Sequence, residues 1–436
     1  MGAPWDTGVS PQTREGSGEE FRAARFIANE LAAAFVKDLQ RAWRAEEHQM
    51  SSIKVVMALV ACAAGILPAQ TISPPTPTGP YSVGRIRWDW VDESRADTVE
   101  PSGGKREIVV WVWYPATPKP GAVPAEWLPG KWGELYASEL RRLQPDDVKP
   151  LEPGAALPLH AHAYPDAPAA AGGQRFPVLV FSPGFGVLPT TYTALIEDIV
   201  SHGYIVAGIV PTYFVPVTMF DDGRVVSGRS LGPMVSLSML VADIGFTLNQ
   251  LARLDSDATS SLHGRFDLER IGLLGHSRGG ATSFQAAKED PRVKAVVDLD
   301  GTLIGNVAQE GLGKPLALIL SGDFLKQQRE LEAAAKDDPR RRVLDAYDLV
   351  FRSGSPGYRV ILPSTTHMSF SDVGWLPFLS DSYKAMLGAM DCTRALRVAE
   401  DYIEAFFDQH LKGKPSELMM APSTDYPEAR FEANGQ

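Results

Sequence analysis

The chain has 436 residues, 44% hydrophobic and 22% charged, with a formal net charge of −11 and two cysteines. Length and apolar content suffice for a large core, and the acidic balance excludes a partner held by sequence-independent contacts to nucleic-acid phosphates. No basic run or G-x-x-x-x-G-K-[ST] phosphate loop occurs, and Cys62 and Cys392 make neither a zinc-ligand spacing nor a disulfide framework, so no cofactor or metal is expected.

The amino-terminal 49 residues begin polar. Ile27, Leu31, Phe35, Leu39 and Trp43 then recur every four positions, as on an amphipathic helix. At 50–70 the pattern becomes that of a signal peptide: Lys54, the apolar stretch Val55–Leu67, then the small residue Ala69. The stretch falls short of the about 20 apolar residues that span a bilayer. A signal peptide should open a protein, so the simplest reading starts translation at Met50 and leaves 1–49 an untranslated extension; the alternative is a genuine extension with an internal anchor. Leu59-Val60-Ala61-Cys62 also matches a lipoprotein box. The expected location is secreted or periplasmic, or membrane-anchored through Cys62. TISPPTPTGP, 71–80, reads as an extended linker.

The folded domain is expected over 81–415, with a carboxy-terminal tail at 416–436. REIVVWVWY, 106–114, is an early strand ending at Pro115. Residues 116–175, rich in Pro, Ala and Gly, form a long excursion with one helical patch near Trp132–Leu143. From 176 the rhythm is strand, loop, helix. FPVLVFS (176–182) is an unbroken apolar run, as in a strand covered on both faces. PGFGVLPTT is a loop, YTALIEDIVSHG a helix, and YIVAGIV the next strand. A second excursion occupies 212–234, and 236–254 is helical. RIGLLGH (270–276) is a strand, ATSFQAAKE a helix. VKAVVDLD, PLALILSG and YRVILP are three further strands, and AEDYIEAFFDQHL (399–411) is a closing helix. Repeated βα units imply a mostly parallel central sheet with helices on both faces.

Gly275-His276-Ser277-Arg278-Gly279 fits G-x-S-x-G between a buried strand and a helix, the setting of a nucleophile elbow. Ser277 is the candidate nucleophile; the bland alternative is a helix-capping serine. A serine hydroxyl needs a base. Only His367 and His410 follow it, and His367, in the loop PSTTHMSF after the last strand, is better placed than His410 within the closing helix. Asp300, ending VVDLD, and Asp323, one strand later, are both candidate acids. Two backbone amides should form the oxyanion hole: that of Arg278, after the nucleophile, and that of Phe185 in the loop Pro183-Gly184-Phe185-Gly186.

TGPYSVG (78–84), VLVFSPGFGVLPTTYTALIEDIVSHGYIVAGI (178–209) and RIGLLGHSRGGATS (270–283) resemble the plasma-type platelet-activating-factor acetylhydrolase family. The likeness runs through AVVDLDG and THMSFSD to AEDYIEAFFDQHL, over roughly 78–415. It implies an α/β-hydrolase fold and a calcium-independent serine esterase, with the acid at Asp300 and oxyanion donors at Phe185 and Arg278. Three departures touch the pocket: Pro183 replaces the histidine of the family's S-H-G loop, Arg278 replaces a bulky apolar residue, and Gly-Thr-Leu follows Asp300 without an aromatic.

The resulting expectation is ester hydrolysis through an acyl-enzyme on Ser277, Asp300 and His367, acting on a small ester or short-acyl phospholipid, with transient contact to a membrane or lipoprotein surface. General carboxylesterase or polyester hydrolase is the alternative; outside ester chemistry stand a peptidase and an inactive binding protein on the same fold. Trp127, Trp132, Tyr213, Phe214 and Phe220 are candidates for lipid contact or for simple packing.

Overall fold

A computed structural model describes residues 74–100, 103–144, 146–149, 159–229 and 233–434. The extension, the signal-like segment with Cys62, and the linker up to residue 73 lie outside the described residues.

Twelve strands appear among the described residues. β1 (Ser82–Ala96) and β2 (Lys105–Ala116) form a long antiparallel hairpin; β3 (Tyr164–Pro165), β4 (Phe176–Ser182) and β5 (Ile205–Val210) follow, and β6 (Val217–Met219) and β7 (Val225–Ser227) make a separate small hairpin. Then come β8 (Phe266–His276), β9 (Val293–Leu299), β10 (Leu316–Ser321), β11 (Gly357–Leu362) and β12 (Arg430–Ala433). Ten of these make one sheet in the order β12-β11-β10-β9-β8-β4-β5-β2-β1-β3. From β5 to β11 every neighbouring pair is parallel; β2 against β5 and β12 against β11 are antiparallel.

Side-chain alternation divides this sheet between two cores. Trp111, Trp113, Leu179, Phe181, Val297 and Ile319 face one layer, which holds helices α2 (Thr193–Ser201) and α7 (Cys392–Leu411). Ile108, Val110, Val112, Val178, Val180 and Leu318 face the other, covered by α3 (Pro233–Ser256), α4 (Arg278–Glu289) and α6 (Arg342–Ser353). Burial on both sides is why these strands read as unbroken apolar runs. α1 (Lys131–Leu143) lies in the first excursion, and α5 (Gly322–Ala333) follows β10.

Several segments depart from the sequence reading. β1 was not anticipated: its Arg85 is buried because its guanidinium donates to the carbonyls of Trp127 (3.1 Å) and Glu126 (2.6 Å) and lies over the Trp111 ring. The described end of the linker is docked, with Thr78 N on Asp198 Oδ1 at 2.7 Å and Gly79 N on Ser201 Oγ at 2.8 Å. The segment 416–436, expected as a tail, supplies β12 at the sheet edge, with Phe431 buried. The first excursion is more than a surface loop. Trp127 and Trp132 are fully buried, and Glu197 accepts the backbone N–H groups of His162 and Ala163 at 2.8 and 2.9 Å. Tyr213, Phe214 and Phe220 of the second excursion are buried as well. All five aromatics pack rather than face solvent.

Candidate active site

β8 passes into α4 through Ser277, which sits at φ 55 and ψ −121. A non-glycine residue holds such a conformation only where its surroundings enforce it. The enforcement is close packing: a β-carbon at Gly275 would overlap the backbone of Gly279, and one at Gly279 the backbone carbonyls of Ser182 and Pro183. The Ser277 amide is anchored on Leu299 O at 2.8 Å, which ties the turn to the end of β9.

Asp300 lies just past β9, also at positive φ (53°), with its amide on Ile319 O at 2.9 Å. Its carboxylate is fully engaged. Oδ1 accepts the Ser321 amide at 2.7 Å, and Oδ2 accepts the Ser321 hydroxyl and His367 Nδ1, both at 2.8 Å. Burial alone would raise the Asp300 pKa, but the hydrogen bonds and charge of His367, with help from Ser321, hold it below the ordinary carboxylate range. The neighbouring Asp298, also buried, accepts only the Gly301 amide among the described residues, and burial pushes its pKa well up.

His367 opens a short 3-10 turn, His367–Phe370, capped by reciprocal bonds between Thr366 and Ser369. Its backbone is held at both ends. Asp323 Oδ2 accepts the His367 N–H at 3.0 Å, and His276 Nε2 meets the His367 carbonyl at 2.8 Å. Asp323, weighed as a rival acid, thus grips the loop and not the imidazole. His410, the rival base, is on α7 against Tyr358 and Phe406, with no acid bonded to its ring among the described residues.

His276 escaped the sequence reading because it fills a free position of the motif. It is buried, and its ring lies 4.5 Å from that of His367. Since a carbonyl can only accept, Nε2 carries the proton, and Nδ1 then accepts from the Tyr192 hydroxyl at 2.7 Å. Burial lowers the His276 pKa to about 3, so the ring stays neutral. The turn 371–375 is tied down too: Asp372, buried, accepts Thr193 N (2.8 Å), Ala194 N (3.2 Å) and Trp127 Nε1 (3.3 Å).

The loop after β4 approaches the same point. A β-carbon on Gly184 would stand 3.3 Å from Ser277 Cβ and 3.1 Å from His276 Nδ1. Neither the Phe185 nor the Arg278 amide donates a hydrogen bond among the described residues. The Phe185 side chain is 61% exposed and edges onto Phe214 at 5.0 Å. The Ser277 hydroxyl and His367 Nε2 likewise have no hydrogen-bond partner among the described residues, so the Ser277–His367 bond is open in this structure. Such contacts often close only on substrate.

Asp198, His202 and Glu404 have a metal-compatible spacing, but His202 Nδ1 is 2.7 Å from Glu404 and Arg397 stands 3.5 Å from Asp198, so the trio is already an ion-pair network. Among the described residues no helix is long and apolar enough to cross a membrane.

Sheet order, elbow and acid–histidine pair together define an α/β-hydrolase, and the protein is an ester-hydrolysing enzyme. More narrowly, the chain belongs to the family described as platelet-activating factor acetylhydrolase, isoform II, whose profile matches residues 68–210 and 234–417. A PET hydrolase-like profile matches 163–302. A probable 1-alkyl-2-acetylglycerophosphocholine esterase from Arthroderma benhamiae is 26% identical over 86% of this chain and 98% of its own length. The dog platelet-activating factor acetylhydrolase is 24% identical over 55% of this chain and 58% of its own. Among solved structures, a ferulic acid esterase from Streptomyces cinnamoneus aligns with a TM-score of 0.64 and 30% identity, covering 83% of this chain and 99% of that one.

Proposed function

We propose that the enzyme cleaves esters through an acyl-enzyme on Ser277, with His367 as general base and acid and Asp300 as the group that orients it. The 2.8 Å bond between His367 Nδ1 and Asp300 Oδ2, beside the strained Ser277, carries this reading. His367 Nε2 takes the hydroxyl proton as Ser277 Oγ attacks the ester carbonyl. Asp300 stabilises the resulting imidazolium and fixes its tautomer. The unpartnered amides of Phe185 and Arg278 receive the oxyanion, each such donor lowering the barrier by about 3 kcal/mol. His367 then protonates the leaving alcohol, and water reverses the sequence to release the acid.

The substrate we favour is a short-acyl phospholipid, as the names of the Arthroderma and dog relatives suggest. A second reading, a carboxylesterase of aromatic or polymeric esters, is favoured by the ferulic acid esterase likeness and by Pro183 and Arg278 at the pocket. An exported location belongs to the same proposal and rests on the segment around Lys54 and Val55–Leu67.

Replacing Ser277 by alanine tests the core of this reading. Turnover of 4-nitrophenyl acetate and labelling by a fluorophosphonate should both disappear while the circular dichroism spectrum is kept. Retained turnover in a folded variant overturns the assignment.

A further inference from the structure

Arg278 follows the nucleophile at the first position of α4, and only its amide has a role so far. Its guanidinium has no hydrogen bond, ion pair or ring contact among the described residues, although the residue is only partly exposed. Among the described residues, the two buried arginines are both satisfied. Arg85 bonds two carbonyls, and Arg106 pairs with Asp243 at 2.6 Å. Holding a cation away from water without a counter-ion is unfavourable, and burial does lower the Arg278 pKa.

The nearby acids do not neutralise it. Asp300 is saturated by His367 and Ser321. Asp298 is turned to the Gly301 amide, and its burial favours the protonated form. The amide end of α4 adds further positive potential at the same place. A chain of net charge −11 therefore presents a local cationic spot next to its nucleophile.

We propose that Arg278 binds an anionic group carried by the ester substrate, a carboxylate or a phosphate lying within one side-chain length of the scissile carbonyl. This rests on the Ser277 reading and narrows its substrate class. A guanidinium suits both anions because its forked N–H groups match their paired oxygens.

The test compares kcat/KM within matched pairs, so that changes in the shared chemistry cancel. One pair is 4-nitrophenyl hydrogen adipate against 4-nitrophenyl hexanoate. The other is dibutyryl phosphatidic acid against tributyrin, a glyceride that carries no phosphate. The wild type should prefer the anionic member of at least one pair by about tenfold or more, with the preference shrinking as salt is raised. Arg278→Leu should bring that ratio close to one, and Arg278→Lys should keep part of it. A preference confined to the adipate pair marks a carboxylate substrate, one confined to the lipid pair a phosphate substrate, and both outcomes support the proposal. A wild type with no anionic preference in either pair, or a ratio that survives Arg278→Leu, overturns it while leaving the esterase reading intact. If the wild type turns over none of the four esters, the Ser277 reading itself fails and the proposal falls with it.

Discussion

Replacing His276 by phenylalanine removes the bond to the His367 carbonyl and the acceptor for Tyr192 while keeping an aromatic ring in the site. Two effects follow. The first concerns stability. The folded chain holds the His276 pKa at about 3, against 6.5 in the unfolded chain. Between those values the unfolded state takes up a proton that the folded state refuses. The contribution is therefore complete above pH 6.5 and is lost as pH falls towards 3, amounting to up to about 5 kcal/mol. Urea unfolding at pH 7, 5 and 4 should show this slope in the wild type and a flatter one in His276→Phe. The second concerns the base. Freed at its carbonyl end, His367 can drift, and a displacement of about 1 Å costs on the order of 100-fold in rate. The kcat for 4-nitrophenyl acetate should fall by that order with little change in KM, and His276→Gln, which restores an N–H donor, should recover part of it. A His276→Phe enzyme with wild-type kcat and an unchanged acid slope would refute the reasoning.

Asp300→Asn should lower kcat by about four orders of magnitude, because the wrong imidazole tautomer is then favoured. Asp323→Asn, which weakens the grip on the His367 amide and the exposed ion pair with Lys326 but leaves the imidazole's partner in place, should cost no more than about tenfold; equal losses in steady-state assays would contradict the division of roles. Gly279→Ala should fail to give soluble folded protein or show a strongly lowered melting temperature by calorimetry, since its methyl has only the Ser182 and Pro183 carbonyls to move against.

The parallel centre of the sheet was readable because β4, β5, β8 and β10 are covered on both faces, which leaves a local signature in each run. Ser277 and His367 were readable for a different reason: chain order and the strand–turn–helix context restrict the choices. What escaped depends on partners remote in sequence. β1 carries charges at Arg85 and Arg87, and Arg85 is acceptable inside only because the carbonyls of Glu126 and Trp127 reach it from 41 and 42 positions away. The clamp on His367 joins His276 to Tyr192, 84 positions earlier, and to a carbonyl 91 positions later. Nothing local marks either contact. Asp323 was noticed, but strand position alone could not tell a carboxylate that takes a backbone N–H from one that takes a ring N–H.

β12 has a bearing on how the enzyme behaves in a crowded solution. By pairing with β11 it covers a line of amide and carbonyl groups that would otherwise sit bare next to the strand preceding the His367 loop. An uncovered border of that kind recruits strands from other molecules, so the last few turns of chain act as a selvedge. They keep the fabric from unravelling into its neighbours, at a place where stray pairing would also pull on the loop that carries the base.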